Sequence, residues 1–211
     1  MSLQRDVIGI PGVEKLAPDD LAAIVATADS LGIDPDWLLS VEKFESGFNP
    51  KAVNSSSGAT GAIQFMPGAS GSAIRLGTTT EALKQMNLAE QQKYVYAYLL
   101  PFKSRLKSLE DTYLAVFWPS AIGQLDSYVI ANQDGTSFEQ AVYRQNKGFD
   151  SSGSGQITRS DIVSTIRSVY RSGSGRPRIP VPGSEGLWRT LALFGAAGIA
   201  TAFIVKWGLS K

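Results

Sequence analysis

Apolar residues recur at helical spacing through most of the first 171 positions of this chain, and the interruptions fall where helices stop. The periodic stretch 19–31 ends at Gly32. Asp34 followed by Pro35 reads as a cap and first helical residue, and that helix is expected to run to Ser46 and stop at Gly47. Further helices are expected over 88–99, closed by Pro101, and over 110–117, ahead of Pro119. Two more are expected over 138–146 and 161–171. No stretch alternates apolar and polar residues long enough for a regular sheet. The pattern predicts a mainly α protein with at most a minor hairpin.

After residue 171 the pattern changes. Residues 172–186 read SGSGRPRIPVPGSEG, a Gly/Ser/Pro composition expected of a linker. Residues 187–209 read LWRTLALFGAAGIATAFIVKWGL, uncharged over 190–205 and flanked by Trp188 and Arg189 on one side and Lys206 and Trp207 on the other. That core is about 24 Å long as a helix, and its flanks bring it near the roughly 30 Å of a bilayer interior. The expected organisation is a globular unit over 1–171, a linker over 172–186 and a single C-terminal transmembrane helix over 187–209. A lipid membrane would be a partner through that last segment.

Composition narrows the chemistry more than the fold. The 211 residues are 43% hydrophobic and 18% charged, with 20 Lys and Arg against 19 Asp and Glu. That balance gives no basic surplus for nucleic acid, and none is expected as a partner. There is no His and no Cys. Imidazole bases, thiol nucleophiles, disulfides and cysteine-ligated zinc are therefore excluded. Catalysis would have to use carboxylates, hydroxyls, amides, Lys or a hard metal ion.

The helix from Pro35 holds a carboxylate of interest. At about 100° per residue, Trp37, Val41, Phe44 and Phe48 share one side, with Leu38 at its edge. Glu45 falls between Leu38 and Val41, at the border of that stripe and near the helix end. Glu42 lies further round and points away from the Glu45 side. Partial burial disfavours a charged carboxyl, and a proton-holding acid is what glycosidic bond cleavage requires. By geometry alone, a Glu that pairs with a cation or reaches water is the better reading.

Residues 45–67 sharpen the reading. Glu45-Ser46-Gly47-Phe48-Asn49-Pro50 leads to Gly58-Ala59-Thr60-Gly61-Ala62-Ile63-Gln64-Phe65-Met66-Pro67. This two-part pattern resembles the soluble lytic transglycosylases of the goose-lysozyme-like group. The resemblance implies a lysozyme-like domain acting on peptidoglycan glycan strands, with Glu45 as catalytic acid and base and Ser46 beside it. It implies a glycan cleft lined by Gly61, Ala62, Ile63 and Gln64. Physically, Gly58 and Gly61 permit turns and close approach, and the Gln64 amide both donates and accepts.

Downstream the chain departs from the family pattern. Where the family carries Ala-Tyr-Asn, this chain has Ala-Val-Phe-Trp, so Phe117 stands for the Tyr and Trp118 for the Asn. Both are expected near substrate, Trp118 either against a sugar face or in the core. Glu139 and Tyr143 keep the spacing of a later family element, which implies a hydroxyl from Tyr143 near the acid.

Two mechanisms stay open. Ordinary glycosidases use two carboxylates, and only Glu45 stands out here. The transglycosylase resemblance implies cleavage of the β-1,4 bond from N-acetylmuramic acid (MurNAc) to N-acetylglucosamine (GlcNAc), leaving 1,6-anhydromuramoyl ends. A goose-type hydrolytic muramidase would use water instead. A glycan-binding module with impaired catalysis and a structural membrane or capsid protein are the non-enzymatic alternatives.

A second motif spans 150–161, with EF-hand spacing of candidate ligands Asp150, Ser152, Ser154, Gln156 and Asp161. Two serines replace the usual acids or amides and Asp161 replaces a longer Glu. The loop is expected to keep its shape without metal, and no cofactor is expected beyond a weak calcium possibility. Residues 1–10 do not read as a secretory signal. Arg171, Arg176, Arg178 and Arg189 ahead of the uncharged core outnumber Lys206 and Lys211 after it, which would hold the enzyme on the cytoplasmic side of a membrane. Peptidoglycan lies outside. A bacteriophage component, carried to the wall in a virion among other virion proteins or released at lysis, resolves that conflict.

Overall fold

The computed structural model describes residues 6–182. Eight α-helices lie in chain order: α1 (Pro18–Leu31), α2 (Pro35–Ser46), α3 (Ser72–Arg75), α4 (Thr80–Leu83), α5 (Leu88–Leu99), α6 (Leu109–Phe117), α7 (Ser137–Asn146) and α8 (Arg159–Arg171). Four short strands form two antiparallel pairs, β1 (Asp6–Val7) with β4 (Ile179–Pro180) and β2 (Val129–Asn132) with β3 (Gln156–Thr158). The described residues are thus mainly helical, as a lysozyme-like fold requires.

Local chemistry sets the helix ends. Pro18 opens α1, and Gly32 at φ 73° closes it by donating back to the Ala28 and Asp29 carbonyls. The Asp34 carboxylate accepts the Asp36 amide at 2.9 Å and Pro35 pre-sets the first turn of α2. Reciprocal capping boxes start α5 (Asn87 with Glu90), α7 (Thr136 with Glu139) and α8 (Thr158 with Asp161). Helix α2 sits centrally, packed against α1, α6 and α8, while α1 lies along α5. The core runs from Ile24 and Leu31 through Leu38, Leu39 and Val41 to Leu99, Tyr113 and Phe117, and ends at Ile162 and Ile166.

Three expectations change. The single C-terminal transmembrane helix is corrected: among the described residues no helix is long and apolar enough to cross a membrane. The longest, the 14-residue α1, is only about 21 Å long and carries Asp19, Asp20 and Asp29. The segment 187–209 itself lies outside the described residues, and the lipid partner inferred from it has no support in the fold.

The linker expected from 172 onward is folded structure as far as 182. Its Ile179 and Pro180 pair with Val7 and Asp6, and Val181 is buried. Arg178 donates to the Asp6 carbonyl at 2.6 Å and reaches the Asp36 carboxylate at 3.4 Å. It is part of this body rather than a membrane flank. Prolines and glycines ruled out a regular helix there, but they do not forbid a docked extended strap.

The third change concerns α2. Phe44, expected within the buried stripe, is 37% exposed, whereas Glu42 is fully buried. A helix packed on several sides has no single apolar stripe, and Glu42 turns toward α5.

Candidate active site

Glu45 occupies the last turn of α2 and lines an open cleft of about 440 Å³. The remaining walls come from four places. Asn54 and Gln64 come from the loop after α2, Tyr113 and Phe117 from α6, Gln145, Asn146, Gly148 and Phe149 from the end of α7 and its following turn, and Thr165 from α8. Glu45 is the one carboxylate among the described lining residues. The other polar groups are four amides and two hydroxyls, a donor and acceptor set suited to a neutral, amide-bearing sugar.

An aromatic cluster makes the floor. Phe44 meets Tyr113 edge-on at 5.3 Å between ring centroids, Tyr113 stacks on Phe117 at 5.9 Å, and Phe117 meets Phe149 at 5.1 Å. Phe44, the exposed member, also lines the cleft. Such apolar walls exclude water and strengthen electrostatic effects on Glu45.

Two phenols respond to the Glu45 charge. Burial, reinforced by Glu45, pushes Tyr113 well above its ordinary value. Tyr98 is pushed up to about 12 by burial and by Glu45, with Arg75 opposing. Both remain protonated donors at physiological pH. The Tyr98 hydroxyl lies 3.4 Å from the Val116 carbonyl. The Tyr113 hydroxyl is buried and has no partner within the described residues, although its residue lines the cleft.

The loop carrying Gln64 is built from tight turns. Thr60 and Phe65 exchange backbone hydrogen bonds at 3.0 and 2.8 Å, and Gly61 at φ 81° starts the turn between them. Gln64 takes φ 56°, unusual for a residue with a side chain, and its amide donates to the Gly61 carbonyl at 3.2 Å. Ala62 and Ile63 are buried beneath the cleft surface.

Of the residues nominated from the sequence, Glu45, Gln64 and Phe117 meet in the cleft. Gly61, Ala62 and Ile63 form the turn that presents Gln64. Ser46 lies outside the lining, and its hydroxyl donates to the Glu42 carbonyl one turn back. Trp118 is buried against Phe138 at 6.4 Å, away from the cleft, so its core alternative describes its place. Tyr143 is turned from Glu45, and its hydroxyl donates to Asp150 at 2.8 Å.

That bond belongs to the 150–161 loop. Asp150 also accepts from the Ser152 and Ser154 hydroxyls and from the Ser154 and Gly155 amides. Burial raises its pKa, but the bonds from Tyr143, Gly155, Ser154 and Ser152 outweigh it and hold the carboxyl far below its usual range. Asp161 is engaged as the α8 cap, and Gln156 pairs with Asn132 in the β2–β3 ladder. Among the described residues there is no group of three or more acidic, His or Cys side chains that could hold a metal ion. These hydrogen bonds centre the loop on Asp150.

Residues the sequence reading missed include Tyr113, one turn before Phe117 on the same face of α6. Asn54, Gln145, Asn146, Phe149 and Thr165 were missed as well. The helical period was the available signal for Tyr113. For the others there was none, because only tertiary packing brings them to Glu45.

Comparison with known proteins agrees with this geometry. Residues 22–116 match the family model described as the transglycosylase SLT domain, a stretch that supplies Glu45, Asn54, Gln64 and Tyr113. Residues 22–116 thus form a lytic transglycosylase domain of lysozyme-like kind, the domain of enzymes that act on peptidoglycan. No solved structure matches the chain. The cleft wall from 145–149 and 165 lies beyond the matched stretch.

Proposed function

We propose that this enzyme cleaves the β-1,4 bond between MurNAc and GlcNAc and closes the muramoyl product on itself, with Glu45 as both acid and base. The supporting observation is that, among the described residues, Glu45 is the single carboxylate lining the cleft. The nearest acid in sequence, Glu42, is buried and accepts from Gln92 at 2.7 Å, which supports a mechanism without a second carboxylate to activate water.

In this reading the Glu45 carboxyl gives its proton to the glycosidic oxygen as the bond from muramoyl C1 to that oxygen breaks, and GlcNAc leaves with a hydroxyl. The muramoyl C6 hydroxyl then bonds to C1, and its proton returns to the Glu45 carboxylate. The acid is regenerated, no water is consumed, and the product is a 1,6-anhydromuramoyl end. The Tyr113 hydroxyl, permanently protonated, is a donor for charge that develops on Glu45 or on a sugar oxygen in between. Gln64 and Asn54 address acetamido groups, and Phe44 stacks on a sugar face.

Muropeptide analysis of peptidoglycan digested with the full chain tests this. Anhydromuramoyl ends are expected, and E45Q is expected to lower their rate by at least about 100-fold. Reducing ends would assign hydrolysis instead. We further propose that a bacteriophage uses the activity for wall penetration or lysis, since the substrate lies outside the cytoplasmic membrane. Genomic neighbours of phage structural or lysis type are expected, and housekeeping neighbours would overturn this part.

A further inference from the structure

Gln91 lies on α5, outside the cleft lining, and is fully buried. Its side chain makes three hydrogen bonds, none to its own helix. The Oε1 atom accepts the Ala62 amide at 2.8 Å, and Nε2 donates to the Pro50 carbonyl at 2.8 Å and the Leu83 carbonyl at 2.9 Å. One amide thereby ties together the chain leaving α2 just after Glu45, the turn that presents Gln64, and the end of α4. The site is shaped for it: a Cβ on Gly61 would stand 2.5 Å from Gln91 Oε1.

The turn needs such a tie. Gln64 sits in left-handed backbone, a strained conformation that persists where its surroundings over-determine it. Backbone bonds from the Gln64 amide to the Gly61 carbonyl and between Thr60 and Phe65 define the turn internally. The Gln91 amide is a side-chain bond that fixes the turn, through the Ala62 amide, to the helical body. Ala62 lies between Gly61, whose carbonyl receives both the Gln64 backbone and side-chain amides, and Gln64 itself.

We infer that Gln91 is a positioning residue for glycan binding, acting through the Gly61 to Gln64 turn rather than by touching sugar. This rests on the proposed reading that Gln64 contacts the substrate. Removing the tie leaves Glu45 in place and lets Gln64 wander. The loss therefore falls on glycan affinity and KM more than on kcat.

The test is a double-mutant cycle on the full chain in an E45Q background, reading the affinity of tri-N-acetylchitotriose by titration, with KM and kcat on peptidoglycan measured in the parent sequence. Q91L keeps the volume and removes all three bonds. It is expected to weaken binding by tenfold or more, with kcat changed by less than threefold. In a Q64A background Q91L is expected to cost less than twofold, because the group it acts through is gone. Equal losses in both backgrounds, or no loss from Q91L where Q64A is harmful, would overturn the inference alone. A harmless Q64A overturns the reading of Gln64 and the inference with it. If Q91L does not fold, Q91E serves. Its oxygen still accepts from Ala62, and protonation restores one donor. Affinity relative to the parent should rise several-fold as pH is lowered from about 9 toward 5, since burial raises the carboxyl's pKa, and a flat ratio over that whole range would overturn the inference.

Discussion

A buried hydroxyl without a partner costs about 1–3 kcal/mol, and Tyr113 carries one at the wall of the cleft. A core position selected for stability alone would hold Phe, as Phe117 does one turn later. The proposed mechanism gives the hydroxyl its use, and Tyr113→Phe separates the two demands. The variant is expected to be as stable as the parent or up to about 1 kcal/mol more stable by thermal melting, while turnover falls about 10- to 100-fold, the worth of one hydrogen bond to a charged group. Loss of stability with unchanged turnover would remove Tyr113 from the mechanism. At this scale the sequence was legible where a local pattern carries the residue. Glu45 and Gln64 sit within one short motif, and the structure places both in the cleft. Trp118 and Tyr143 are nominated by alignment with looser downstream elements of the family, and such an alignment does not say which way a helix faces. Tyr143 went to Asp150 because the 150–161 loop wraps back to meet it.

At the scale of elements, capping residues and prolines made the helix ends readable: α2 and α5 start and stop where the sequence places them, and α8 differs only by extending back to its Thr158 cap. What no periodicity shows is a polar side chain buried by a helix far along the chain. Glu42 is one, facing Gln92 fifty residues on with its second oxygen unpartnered. Burial pushes its pKa up to about 8, with the Gln92 bond opposing and the Asp20 charge adding. In the unfolded chain it titrates near 4.5. Between those values the folded protein holds a proton that the unfolded chain has released. The Glu42 contribution to stability is therefore fully present below about pH 4.5 and lost as pH rises through about 8. Its size is on the order of 5 kcal/mol. Melting temperatures of the parent and Glu42→Gln should diverge steadily from pH 5 to pH 8.5, with the parent losing ground. Parallel curves would mean that Glu42 is not protonated in the folded state.

On the scale of the whole molecule, the ends of the described chain are clasped together beside the start of the helix that carries Glu45. β1 pairs with β4, Ile8 donates to Asp36 in the first turn of α2 at 2.9 Å, and Arg178 reaches the same carboxylate from the other end of the chain. The Arg178 pair is half-exposed and contributes little by itself, up to about 1 kcal/mol. Close packing contributes more. Gly9 lies so near the strap that an added Cβ would stand 2.6 Å from the Pro177 carbonyl, and Val7, Ile10 and Val181 are buried at the seam. A composition-based reading puts the domain end at 171, because Gly, Ser and Pro describe what a segment cannot form regularly and say nothing of what it docks on. The strap predicts a conditional effect. Gly9→Ala in the full chain should cost about 1–3 kcal/mol, a fall of several degrees in melting temperature. In a chain ending at residue 171, already less stable for want of the strap, the same substitution meets no Pro177 and should cost almost nothing. If Gly9→Ala lowers both melting temperatures equally, the strap does not pack on the N-terminal strand, and the folded unit ends where the composition changes.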